Sequence, residues 1–407
     1  MKVIPSSLKI MKFYFHVFIN KNCFVGFERL SHLTNLVDLD LSDNMFNGSH
    51  VLSGLSQHSS LKNLSLDYNQ FRELNHFNVS RLSNLESLSL SGNMFNNSIL
   101  SYVSTLSSLK VLDLNNVGLK GIVDLQDLDS LSNLEELYMG GNEIKKVVFS
   151  KGETSLRKLT WLGLSNMSIS DGNSLLQTLG LFPSLKSLEF FDTNFSGAVI
   201  TNELPSFKNL TNLIIFETVF HNNFLQMIGG MTSLQSIKIE YSNLGINDTL
   251  FDQELPSFKN LTNLTISDMV FDNNFLQMIG GMTSLQSIEI SGSDLSFNDT
   301  LFDQELPSFK NLTNLIIDDT VFHNNFLQMI GGMTSLQYIE IRNSNLSIND
   351  TLFDKELPLF KNLTNLIIYN TIFHNNFLQM IEGMTSLQSI EISSSNLNIS
   401  DTLFDKG

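Results

Sequence analysis

Residues 204–254 recur almost letter for letter from Leu255, Leu306 and Leu357, a period of 51 residues. Each copy holds one shorter pattern twice: Leu210-x-x-Leu213-x-Ile215-x-x-Thr218-x-Phe220, then Leu234-x-x-Ile237-x-Ile239-x-x-Ser242-x-Leu244. The short pattern also runs back through the first half. Its leading leucine stands at Leu36, Leu61, Leu85, Leu109, Leu134, Leu159 and Leu185, and then at two positions in each long copy. That makes fifteen units spaced 24 to 27 residues apart. One such unit cannot bury its own apolar face. A chain of them must stack, each coil on the next, as a solenoid.

The spacing inside a unit predicts the coil. With the leading leucine counted as position one, Leu39 and Leu41 alternate with Asp38, Asp40 and Ser42. This is the period-two sign of a strand with one buried face, and stacking sets such strands side by side as a parallel sheet. Asn44, Asn69, Asn93 and Asn142 hold the ninth, turn position, where a side-chain amide can bond backbone of its own and the next coil. In the second half Thr218, Ser242, Met269, Ser293, Thr320, Ser344, Thr371 and Ser395 stand there instead, as Thr193 does just before. A hydroxyl satisfies fewer groups, so looser backbone satisfaction is expected. The eleventh position is an apolar plug, Phe46, Phe71, Phe95, Phe195, Phe220, Phe271, Phe322 and Phe373, alternating later with Leu244, Leu295, Leu346 and Leu397. Residues 224–231 have helical spacing with Gly229 and Gly230 at their end, which predicts a short outer helix. Residues 248–258 carry Pro256 and read as a loop or 3₁₀ turn.

The early units, Leu36-x-x-Leu39-x-Leu41-x-x-Asn44-x-Phe46 and Leu85-x-x-Leu88-x-Leu90-x-x-Asn93-x-Phe95, resemble the leucine-rich repeat family. Their wording, LTNLVDLDLSDNMFNGS and LSNLESLSLSGNMFNNS, is most similar to ectodomains of plant receptor-like proteins. The resemblance covers roughly residues 30–400. It implies an α/β leucine-rich repeat horseshoe with a parallel sheet on the concave face and short helices, 3₁₀ turns and loops on the convex face. The Gly-x-Ile-Pro word of plant repeats is missing, which leaves their extra outer strand without its sequence support. The organisation read here is a leader over 1–29, repeats of about 25 residues over 30–203, and four tandem double repeats over 204–407. The leader is read either as a degenerate signal segment or as disordered. The chain is expected to be an incomplete receptor-like ectodomain, without the family's paired-cysteine caps, membrane span or kinase.

The net charge of −17 excludes an ordinary nucleic-acid binder, which needs a basic footprint. Cys23 is the sole cysteine, so no intrachain disulfide forms, a usage that leans cytosolic. Sixteen Asn-x-Ser/Thr sites point the other way, towards a secreted glycoprotein. Candidate glycosylation sites are Asn47, Asn96, Asn194, Asn209, Asn247, Asn260, Asn298, Asn311, Asn349 and Asn362. No run of eighteen apolar residues is present, so no membrane-spanning helix is encoded.

Catalytic and metal readings fail on geometry. His221, His323 and His374 recur at one place in the repeat, with Asp272 in the remaining copy, the second. Equivalent residues lie two coils apart, about 10 Å, whereas zinc–histidine bonds are about 2 Å. Adjacent acids such as Asp318 and Asp319 lack the spacing of a calcium loop, which gathers about six to eight oxygens. No Ser/His/Asp set sits on a nucleophile turn and no glycine-rich phosphate loop opens a helix. No enzyme activity, cofactor or metal is expected.

A partner would meet the exposed strand positions, the third, fifth, seventh and eighth. Aromatic residues stand there in five consecutive coils: Tyr138, Trp161, Phe191, Phe216 and Tyr241, with acids such as Glu136, Glu189, Asp192, Glu217 and Glu240 between them. Exposed aromatics on a sheet are a liability unless something covers them, and they are enriched at binding hot spots. Cross-strand stacking that only stiffens the sheet is the alternative. The four long copies differ most at the seventh and eighth positions: Phe216-Glu217, Ser267-Asp268, Asp318-Asp319 and Tyr369-Asn370. Gln226, Gln277, Gln328 and Gln379 stay fixed. The expected ligand surface is therefore Tyr138, Trp161, Phe191, Phe216, Glu217, Glu240 and Tyr241. The expected role is cell-surface recognition, in defence signalling by resemblance, of a peptide or protein ligand, with a co-receptor kinase supplying the signal. An intracellular scaffold or adaptor in the cytoplasm, and a truncated product without its own function, are the alternatives.

Overall fold

The computed structural model describes residues 7–12, 33–47, 55, 58–73, 81–151, 154–196, 207–220, 228, 231–244, 258–269, 279, 282–295, 309–322, 333–347, 360–374 and 384–397. The chain forms two compact units, Met1–Leu210 and Thr211–Gly407.

In the N-terminal unit each coil supplies one strand to a parallel sheet, from Asp38–Asp40 and Asn63–Ser65 through Val111–Asp113 and Glu136–Tyr138 to Trp161–Ser165 and Ser187–Phe191. The register keeps equivalent positions side by side, as in Leu39 against Leu64 and Leu137 against Leu162. Alternation does what the sequence demands. Leu36, Leu39 and Leu41 are buried while Asp38 and Asp40 are half-exposed. Each buried leucine contributes about 1.5–3 kcal/mol, and a coil carries three, so stacking drives the fold.

Residues 1–29, read from sequence as a leader, contribute a strand as well. Ile10–Lys12 pairs in parallel with Asp38–Asp40, placing Met11 beside Leu39. Leu8 and Met11 thus fill the first and fourth positions of a degenerate coil, whose methionine hid it from a leucine-spaced pattern. Two helices, Ile99–Val103 and Gly172–Leu179, and the 3₁₀ turn Leu125–Leu128 lie on return paths. Asp171 caps the longer helix by accepting from the Ser174 N–H at 3.0 Å.

In the C-terminal unit the strands run in parallel from Asn212–Phe216 and Ser236–Glu240 to Asn365–Tyr369 and Ser389–Ser393. They are five residues long, against three in the earliest coils. A second parallel ladder follows the turn, through Asp294–Leu295, Val321–Phe322, Asn345–Ser347, Ile372–His374 and Asn396–Leu397. In the N-terminal unit Ser168–Ile169 pairs with Asn194–Phe195 at the same two positions, and Lys120–Asp124 lies beside Glu143–Val148. An outer ladder therefore exists without the Gly-x-Ile-Pro word. The expected helix over 224–231 falls mostly outside the described residues, within which Ile228 is helical and buried.

The turn residue bonds differently in the two units. Asn69 donates to the carbonyls of Leu66 and Asp67 in its own coil and Leu41 in the preceding one, and accepts from the Phe46 N–H at 3.0 Å. The amide thus ties back to the preceding coil, not forward to the next. Asn142 goes further, accepting from the N–H groups of Val117, Gly118 and Leu119. In the C-terminal unit Ser242 donates to the Glu240 carbonyl and accepts from the Thr218 N–H at 3.0 Å. The hydroxyl makes fewer bonds, as expected, but the neighbouring plug N–H is not left unpaired. The Phe220 N–H, which in the early coils would meet an asparagine oxygen, bonds the backbone carbonyl of Asn243 at 2.7 Å. Adjacent backbones pair directly there, as they also do at Gln70, whose N–H reaches the Phe46 carbonyl at 2.8 Å. At Met269, which has no polar side chain, the backbone N–H still finds Ser293 Oγ at 3.3 Å.

Candidate recognition surface

The eighth position has a conformation of its own. In all fifteen units it is left-handed, with φ between 45° and 67°, from Asp43 to Ser394. Glycine, asparagine or aspartate occupy eleven of these places, because a Cβ there clashes with the backbone unless the side chain is absent or short and polar. The exceptions are Tyr68, Glu217, Tyr241 and Ser394. Drift among Asp268, Asp319 and Asn370 therefore reflects a backbone rule more than diversified recognition. Glu217 and Tyr241 go against the rule.

On the N-terminal unit the sheet register sets out three rows. Glu136, Trp161 and Ser187 share the third position, Tyr138, Gly163 and Glu189 the fifth, and Ser165 and Phe191 the seventh. Tyr138 Oη donates to Glu136 Oε2 at 2.9 Å. Burial and the neighbouring carboxylate raise the phenol well above its ordinary value, so it remains a donor. Trp161 is half-buried, and its Nε1 is fully shielded with no acceptor among the described residues. Packing alone holds the indole. Phe191 is 39% exposed.

On the C-terminal unit Phe216 and Tyr241 meet edge to face, with ring centroids 5.3 Å apart. The Tyr241 hydroxyl donates to Asp268, which raises its pKa, and the ring is 55% exposed. Glu240 is held by Lys238 at 3.1 Å, and its carbonyl accepts the Glu217 N–H at 3.0 Å. Glu217 itself is exposed. The seven residues singled out from sequence thus fall into two groups, Tyr138, Trp161 and Phe191 on one unit and Phe216, Glu217, Glu240 and Tyr241 on the other.

Among the glycosylation candidates, Asn47, Asn96, Asn194, Asn209, Asn260, Asn311 and Asn362 are exposed. Asn209, Asn260, Asn311 and Asn362 share one role: each Nδ2 donates to a carbonyl one coil back, as Asn260 does to Thr232 at 3.0 Å. Asn247, Asn298 and Asn349 lie outside the described residues, as do His221, Asp272, His323 and the four recurrent glutamines. Among the described residues no group of three or more His, Cys, Asp or Glu is placed to hold a metal, and no helix is long and apolar enough to cross a membrane.

No protein-family profile matches the chain. A tubulin-specific chaperone E of Xenopus laevis is 31% identical over 42% of this chain and 30% of its own length. A transforming growth factor beta activator of Danio rerio is 24% identical over 62% of this chain and 33% of its own. The receptor-like protein kinase BRI1-like 3 of Arabidopsis thaliana is 32% identical over 25% of this chain and 9% of its own. The chain thus spans a third or less of the curated relatives it matches. Among solved structures, a leucine-rich repeat protein of Leptospira interrogans superposes with a TM-score of 0.51 at 20% identity, covering 89% of this chain and 92% of that one. Together with the coil geometry, this likeness gives the chain the leucine-rich repeat solenoid fold.

Proposed function

We propose that the chain is a non-catalytic recognition module. It binds a peptide or protein ligand on the exposed faces of its main-sheet strands, as part of a cell-surface receptor-like protein. One observation carries the reading: large aromatic side chains are kept exposed on those faces, Tyr241 at 55% and on a left-handed backbone that tyrosine seldom adopts. Backbone strain of this kind costs about 1–3 kcal/mol and persists where function requires the side chain. Signalling would come from another chain, such as a co-receptor kinase, and the exposed sequons suit a secreted route. Replacing Trp161 and Phe216 separately by alanine tests the two units. A partner isolated by pull-down should lose about ten-fold or more in affinity with at least one variant. Unchanged affinity with both removes these surfaces from consideration.

The single cysteine and the likeness to a tubulin-specific chaperone favour a second reading, an intracellular scaffold. Glycan separates the two. In a glycosylating host, a fall in mass on deglycosylation supports secretion; soluble cytosolic protein with no mass change supports the scaffold.

A further inference from the structure

We infer that the chain stacks head to tail on a second copy of itself, with Ser389–Ser393 of one copy pairing in parallel with Ile10–Lys12 of the next. Ser389–Ser393 pairs with Asn365–Tyr369 along one edge, and among the described residues no strand lies along the other. The strand is exposed over its whole length, with Ile390 at 43% and Ile392 at 36%. Its sequence, Ser-Ile-Glu-Ile-Ser, also stands at Ser287–Ser291, and there the two isoleucines are only 2% and 5% exposed. The difference is the next coil. Asn314–Asp318 pairs in parallel with Ser287–Ser291, setting Leu315 beside Ile288 and Ile317 beside Ile290. The molecule itself thus shows what covers this strand: a parallel strand of another coil, with an apolar residue at the fourth position.

Ile10–Lys12 offers such a strand. Among the described residues it pairs on one edge only, with Asp38–Asp40. Ile10 and Lys12 are exposed and Leu8 and Met11 half-buried, whereas Leu36 and Leu39, their equivalents in the neighbouring coil, are buried. Neighbouring coils pair equivalent positions. In that register Met11 of one copy lies beside Ile390 of the other, and Lys12 beside Glu391. Charge favours the match. Residues 1–27 hold four lysines and no acid, and residues 376–405 hold four acids and no lysine or arginine. The competing arrangement pairs Ser389–Ser393 with itself, antiparallel about a two-fold axis. The strand reads the same in both directions, so its isoleucines would still match. Glu391 would then face Glu391, and like charges directly opposite are destabilising. Lys12 in that place turns the repulsion into attraction.

The test follows the full chain and two edge-blocked variants, Met11→Asp and Ile390→Asp, by sedimentation velocity. The parent is expected to associate in an open series as concentration rises, because a head-to-tail contact leaves one edge free at each end. Each blocked variant alone should be a monomer. An equimolar mixture of the two should form a heterodimer and nothing longer, joined through the one edge left free on each. Glu391→Lys should weaken association of the otherwise unaltered chain about three- to ten-fold. A parent that stays monomeric from low to high micromolar concentration overturns the proposal. So does a Met11→Asp chain that dimerises by itself, which marks the antiparallel pairing. Circular dichroism against the parent separates a blocked edge from a lost fold. Should an aspartate unfold its coil, Glu391→Lys decides alone, and unchanged association overturns the assignment.

Discussion

At the scale of single residues, two consecutive positions govern each coil, and they do so differently. The eighth must turn left-handed, so its side chain is chosen for backbone reasons unless something else outweighs them. Glu217 at φ 47° is such a case. Glu217→Gly is expected to raise stability by about 0.5–1 kcal/mol in urea unfolding, since glycine relieves the Cβ clash. The ninth position secures the backbone. Asn142→Ala leaves the N–H groups of Val117, Gly118 and Leu119, two of them buried, and the carbonyls of Leu114, Met139 and Gly140 without this partner, at an expected cost of about 3–5 kcal/mol. Ser242→Ala loses one donated and one accepted bond and should cost about 1–2 kcal/mol. Among surface charges, hydrogen bonds from Lys110 and Lys62 lower the Glu86 pKa from 4.5 to about 2. The folded carboxyl holds its charge more tightly than the unfolded one. Its contribution is therefore present above pH 4.5 and lost as pH falls towards 2. Glu86→Gln should flatten the acid limb of the stability profile in that window, modestly, because the group is solvent-exposed.

At the scale of elements, much was legible in advance. Strand positions, parallel pairing and the buried leucine set follow from a spacing of three and two residues, because that spacing has one meaning when it recurs every 24 to 27 residues. Three features were harder to read. The strand Ile10–Lys12 carries methionine where the pattern looks for leucine. The outer ladder forms behind Asn142 and Met167 as well as behind serine and threonine, so no residue at the ninth position announces it. The left-handed eighth position was written in its glycines, asparagines and aspartates, but it reads as surface variation until φ is known. Neighbours decide what a strand residue is worth. Ile368 is fully buried between coils, whereas Ile392, its equivalent in the last described strand, is 36% exposed. Ile368→Ala should cost about 2–5 kcal/mol and Ile392→Ala under about 1 kcal/mol, checked by thermal unfolding of each variant.

At the scale of the whole molecule, fold and function are known to different depths. The repeat specifies a solenoid nearly by itself, while the fold serves many partners and names none of them. What points to a partner is local. An acidic sheet face on the N-terminal unit bears a half-buried tryptophan, and Trp161 is the chain's only tryptophan. That single residue makes the surface directly observable. The decisive measurement is Trp161 emission and its quenching by acrylamide as a ligand, identified by selection or pull-down, is titrated to saturation. The account predicts a saturable change in emission and reduced quenching, with the same dissociation constant as calorimetry. Saturable binding to the N-terminal unit that leaves Trp161 emission and quenching untouched would contradict it.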